Sequence, residues 1–242
     1  MKFGFPASLR IIGRAIVDWW DGWLDMVMVT SIWFLAQLTI VLGPPATFGV
    51  YYVAYNMING EALGVRGLIE GARKYFWKAL LWGLANLAVF ATLFVNVQFY
   101  GSIETSWGIY LLIIMWMLTA LWITTNFYAL PFFLEQTDQR LRVAWKNGLL
   151  TSLATPLYTL VLLVFVLLVF GLSLGLVIPI FLGLPGIIPM LGFRAVSDRL
   201  IAFGLRKPER TPKEIEFEES SKVRVPELSD HPSESGAPAR KD

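Results

Sequence analysis

The chain has 242 residues, 56% of them hydrophobic and only 16% charged, against about 25% charged in soluble domains. Residues 206–242 hold eight Lys/Arg and nine Asp/Glu, which leaves 21 charges for the first 205 residues. Four stretches, 26–60, 79–103, 105–134 and 147–193, carry no charge at all. A chain of this size cannot bury all four beneath a polar surface, which argues against a soluble helical domain.

A membrane-crossing helix needs roughly 20 mostly apolar residues. The stretches therefore predict an all-α, polytopic integral membrane bundle of about six transmembrane helices, with amphipathic interfacial helices beside them. Three parts follow: an N-terminal interfacial helix over 1–23, a six-span domain over 24–205, and a disordered tail over 206–242, rich in Pro, Glu, Ser and Lys. Cysteine is absent, which excludes disulfides and thiol chemistry. Arg10, Arg14, Asp18 and Asp21 interrupt the early apolar run, so no signal-peptide core is expected.

Taken in chain order, the first segment places Arg10, Arg14, Asp18, Asp21 and Asp25 on one helical face and Leu9, Ile12, Ile16, Trp20 and Trp23 on the other. Arg14 is one turn from Asp18 and is expected to pair with it, and the indoles suit the headgroup level. Span one is expected over 24–42, stopped by Gly43-Pro44-Pro45. Span two, 46–59, is short, and is either a tilted crossing or a re-entrant half-helix. A basic amphipathic helix over 65–78 leads into span three, 79–100. Span four covers 108–134, with Pro131 near its end. A third amphipathic stretch follows, with Thr137 as N-cap and Asp138, Arg142 and Lys146 on one stripe. Residues 147–193 then predict a two-span hairpin turning near Gly171, Ser173 and Gly175, its second arm kinked or interrupted by Pro179, Pro185 and Pro189.

Every Lys and Arg falls in the N-terminal helix, in 61–78, in 135–146, in 194–199 or in the tail. With six spans these five regions share one side, and the connections near Gly43, at 101–107 and near 171–175 have neither residue. The positive-inside rule then places both termini and both long connections in the cytoplasm. The run Phe76-Trp77-Lys78-Ala79-Leu80-Leu81 is echoed at 144–150, which is either a trace of duplication or the shared taste of Trp and Lys for the interface.

Ionisable residues inside a span usually mark proton relays or ion sites, and none falls between the expected ends of any span; Asp25, Glu61, Glu104, Glu135 and Arg194 sit at or near interfaces. The one histidine, His231, is in the tail. No catalytic residue, metal site or cofactor is therefore expected, and no phosphate loop or nucleic-acid signature occurs. The chain reads as a non-enzyme. Uncharged polar groups remain, chiefly Gln37, Asn56, Asn59, Asn86, Asn96 and Asn126. These either line a path for a neutral polar solute or make hydrogen bonds within the bundle. Arg66, Arg73, Lys74, Lys78, Arg142 and Lys146 form candidate cytoplasmic docking surfaces.

The run Gly43-Pro44-Pro45-Ala46-Thr47-Phe48-Gly49, then Asn59-Gly60-Glu61 and the later Arg73-Lys74-Tyr75-Phe76-Trp77-Lys78, resembles the YesL-like family of bacterial integral membrane proteins, domain of unknown function 624. The likeness covers the layout of roughly residues 20–205, with Gly43, Pro44, Pro45 and Thr47 as a conformational turn. It implies an accessory role in carbohydrate uptake, with the lipid bilayer and either an ABC-type sugar permease or further copies of the chain as partners. The alternative is a small facilitator for a neutral polar solute.

Overall fold

The computed structural model describes residues 5–176 and 183–206. Pro179, His231 and the segment beyond Arg206 lie outside the described residues. The described chain is helical throughout, without strands. Its elements are α1 (Phe5–Asp21), α2 (Trp23–Gln37), α3 (Gly43–Ile58), α4 (Gly64–Lys74), α5 (Phe76–Gly101), α6 (Ser106–Glu135), α7 (Leu141–Ala154), α8 (Pro156–Leu176), a 3-10 turn (Leu184–Gly186) and α9 (Ile187–Ala202). Among the described residues α5, α6 and α8 are long and apolar enough to cross a membrane, and α2 is a shorter apolar helix.

The bundle is organised around α3. Phe48, Val50, Val53 and Ala54 are all buried, so this helix has protein on most of its circumference. Small residues let its neighbours come close. A side chain at Gly49 would meet the Leu68 carbonyl of α4 at 2.4 Å, and one at Gly71 would meet Tyr52 at 2.6 Å. The α3–α4 hairpin is thus backbone-to-backbone packing of the small-residue kind that drives helix association where water is scarce. Phe48 then gathers aromatic rings from two further helices, Trp82 of α5 and Phe133 of α6, at 5.8 and 5.3 Å between centroids. Both are edge-to-face contacts, each worth about 0.5–1.5 kcal/mol beyond burial.

Several sequence expectations change here. Gly43-Pro44-Pro45 does not end a long first span; it opens α3, with prolines in the first turn, where the missing N–H is not needed. The helix expected there stops at Gln37 instead, and residues 38–42 make the turn. Thr47 is inside α3, donating to the Gly43 carbonyl at 3.0 Å. The basic helix expected over 65–78 is broken at Tyr75, so Lys78 belongs to α5. Thr137 caps nothing: α7 begins at Leu141 after an extended Arg140 and runs on to Ala154, taking in residues assigned to a span. Gly171, Ser173 and Gly175 are helical rather than a turn, because Ser173 bonds back to the Val169 carbonyl and α8 continues to Leu176. Pro185 and Pro189 lie in the 3-10 turn and the first turn of α9, where they start a helix and do not kink one.

The α5–α6 pair reaches well beyond α3. Pro44, at the start of α3, lies against Gly83 of α5, and residues 84–101 run on past it. Leu84, Leu87, Phe94 and Val95 there are each more than 60% exposed, as are Tyr110 and Met117 on the returning half of α6.

Gly49→Val is expected to lower stability by about 1–3 kcal/mol through overpacking, read from thermal unfolding in detergent. Gly175→Ala, with open space around it, should leave the melting temperature unchanged; equal melting of the two variants would contradict the close α3–α4 approach.

Candidate functional site

Charged residues collect where α1, α6, α8 and α9 meet. The sequence sets Arg194, Asp198 and Arg199 on a stretch taken to lie at the interface, but α9 is continuous through them and packs that face inward. Asp18 of α1 receives a two-pronged bond from Arg194, Nε to Oδ2 at 2.6 Å and Nη2 to Oδ1 at 3.0 Å. This planar fork-to-carboxylate geometry is the strong form of the ion pair. Asp18 therefore pairs across 176 positions of sequence and not with Arg14, as local spacing suggested.

One turn along α9, Asp198 accepts from Arg10 of α1 at 3.2 Å and from its neighbour Arg199. Arg199 is 1% exposed, and its guanidinium sits 3.8 Å from the centre of the Tyr158 ring at the start of α8. Beside it the Tyr128 and Thr159 hydroxyls, from α6 and α8, share a 3.1 Å hydrogen bond. A guanidinium suits such a place because it is weakly hydrated and stacks on aromatic faces.

The same contacts fix which face of α1 meets the bundle. Ala7, Ser8, Ile11 and Ala15 are buried, while Leu9, Ile16, Val17 and Trp20 are 40–66% exposed. The inward face is the one with small side chains, because it must pass close to α8 and α9; the large apolar residues face out. Trp19 completes the seam by donating to the Gly183 carbonyl at 2.8 Å. Gly183 has φ +77°, and a side chain there would meet the Val27 backbone nitrogen at 2.8 Å, so the position is restricted to glycine on two counts. Next to the Asp18–Arg194 pair is an open cleft of about 330 Å³, lined in part by Asp21, Asp25, Met57 and Gly60.

The candidate lining residues are dispersed, and their amides serve their own helices. Asn56, Asn59, Asn86, Asn96 and Asn126 each donate to the carbonyl four residues back, at 2.7–3.0 Å. Asn86 and Asn126 also accept from the Trp122 and Trp145 indoles at 3.0 and 3.2 Å, joining α5 to α6 and α6 to α7. Gln37 closes the α2–α3 turn on Gly43 and Thr47 at 3.3 and 3.2 Å, and Trp33 donates to the same Thr47 hydroxyl.

The docking candidates Arg66, Arg73, Lys74, Lys78, Arg142 and Lys146 are all exposed. Lys74 lies 5.3 Å from the Tyr52 and Tyr75 ring centres, and Lys78 lies 5.5 Å from that of Phe133. Partial burial opposes the Lys74 charge, but the Tyr75 hydroxyl, Tyr52 and Glu70 outweigh it and hold its pKa above the ordinary lysine value. Gln139, in the left-handed region at φ +47°, donates to the Tyr75 hydroxyl at 2.8 Å. That bond latches the α6–α7 connection to the α4–α5 junction and offsets the strain of a non-glycine residue there. No protein-family model, curated protein or solved structure matches the chain.

Tyr158→Leu should cost about 2 kcal/mol by removing the ring from a desolvated guanidinium, seen as a lowered unfolding midpoint. Tyr158→Phe keeps the ring and should lose much less; equal losses would assign the contribution to the hydroxyl instead.

Proposed function

We propose that the chain is a non-enzymatic, multi-pass protein of the bacterial cytoplasmic membrane that serves as an accessory or docking partner of a carbohydrate uptake system, with an ABC-type sugar permease as the partner. The observation that carries this reading is a division of labour among polar groups. The inward charges Asp18, Arg194, Asp198 and Arg199 are paired, whereas the cations of α4, α5 and α7 are held outward, some of them braced on aromatic rings. Fixed, exposed cations suit recognition of an acidic surface. The carbohydrate link rests on the resemblance to the YesL-like layout. A facilitator for a neutral solute is less well supported, because the amides that would line its path are bonded to helix carbonyls and indoles in separate places.

The topology that accompanies this reading keeps both termini in the cytoplasm and an even number of crossings. Six spans would use α2, α3, α5, α6, α8 and the segment that ends in α9. Helices α2 and α3, of 15 and 16 residues, are about 22 and 24 Å long, short of a roughly 30 Å hydrocarbon layer. Pro44 meets α5 at Gly83, near its beginning, and the turn between the two helices exposes Leu38, Ile40 and Val41 by 60–88%. These features favour a re-entrant α2–α3 hairpin whose apolar tip ends within the bilayer, which leaves the sidedness of every other element unchanged.

Charge reversal at Arg73, Lys74 and Lys78 to Glu should abolish copurification with a co-expressed ABC-type sugar permease while leaving membrane insertion intact. Undiminished recovery of the partner would remove α4–α5 as the docking surface.

A further inference from the structure

We infer that the groove between α5, α6 and α7 is a binding site for an anionic phospholipid, with its phosphate at Lys146 and Arg142 and one acyl chain along α5 and α6. The groove holds about 400 Å³, and Lys146 is its one charged lining residue. Val89 and Leu93 of α5 and Leu118 and Leu121 of α6 form its apolar floor. Trp122 and Trp145 flank Lys146 with ring centres 5.9 Å apart. The Trp122 indole N–H is spent on Asn86 and that of Trp145 on Asn126, and the Thr125 hydroxyl is bonded to the Leu121 carbonyl at 2.7 Å. The groove wall therefore presents carbon to an occupant, the stem of the exposed Lys146 included.

The direction of the groove matches a lipid. From the level of Lys146 it passes from Trp122 to Leu118 and from Val89 to Leu93, away from Lys78 and Glu135, the only charged residues of α5 and α6. A chain anchored at the cation would point toward the apolar middle of both helices. Among the lining residues, Leu118 and Leu149 are 44% and 37% exposed, so the site is open from the side, as entry from a bilayer leaflet requires. Arg142 precedes Lys146 by one turn on α7 and is also exposed, giving two cations on one helical stripe for a single phosphate. Basic positions between membrane helices on the cytoplasmic side are where acidic headgroups are held. A partner helix would instead need the polar or small side chains that knit helices together, and the groove floor has only branched apolar ones.

Native mass spectrometry of the purified full chain tests this with phosphatidylglycerol and phosphatidylcholine of identical chains. The wild type should keep one phosphatidylglycerol through delipidation, with at least a tenfold preference over phosphatidylcholine. R142E/K146E should lose that preference, and the milder R142Q/K146Q, for which folding is checked by an unchanged melting temperature, should reduce it at least threefold. Leu93→Trp, which fills the floor, should lower retention of both lipids. Equal retention of the two lipids by the wild type, or unchanged phosphatidylglycerol in R142Q/K146Q, would overturn the assignment. So would a dimer that falls apart in those charge variants, because a second copy would then occupy the groove. Arg73, Lys74 and Lys78, the residues reversed in the docking test, are untouched in every variant, so the two tests read different residues.

Discussion

A charge inside an apolar bundle has no water to turn to, and the fold is closed by the way this chain meets that condition. An isolated buried carboxylate or guanidinium costs several kcal/mol even after relaxation, and removal of one partner from a buried pair typically costs 3–5 kcal/mol. Asp18 and Arg194 are about one-fifth exposed at most, and Arg199 is fully enclosed. Pairing Asp18 with Arg194 requires α1 to lie along α9, so the first described helix is fastened to the last. Tyr158 and Thr159 bring α8 to the same place, and Tyr128 brings α6. Once that corner is closed, α2 must leave α1 beside Met57 and Gly60, and α3 becomes the enclosed helix.

The remaining architecture follows from how closely α3 can be approached. Glycines on both sides allow α4 to contact it at backbone distance, and Phe48 collects rings from the next two helices. Because α4 turns back along α3 and not outward, Tyr75 arrives buried beneath Gln139. The cations that flank Tyr75 are left at the surface. A packing constraint inside the bundle thereby sets where positive charge can be displayed, which is the link from fold to the proposed docking role.

Much of this was legible in the sequence, for physical reasons that differ by element. The helices α5, α6 and α8 announce themselves through uncharged length, a property that needs no partner to be read. The exposure of Arg66, Arg73, Lys74, Lys78, Arg142 and Lys146 also follows from amphipathic spacing. The α1–α9 corner was not legible, because helical periodicity reports which residues share a face and is silent about what the face meets. Arg14 and Asp18 look like a local pair, and only the fold brings Arg194 within reach. The role of Gly43-Pro44-Pro45 was ambiguous for a similar reason: proline ends one helix and begins another with equal ease, and the difference lies in where the preceding helix stops. Asn86 and Asn126 could equally have faced a cavity; the indoles that occupy them come from other helices.

Paired charges fasten α1 to α9, and a charge-exchange cycle across Asp18 and Arg194 tests that fastening. Unfolding free energies of the wild type, D18R, R194D and the D18R/R194D double variant should show each single change losing about 3 kcal/mol or more, with the double variant regaining at least half of the combined loss. Strictly additive losses, or single variants as stable as the wild type, would contradict the account and return α1 to the membrane surface as an independent helix.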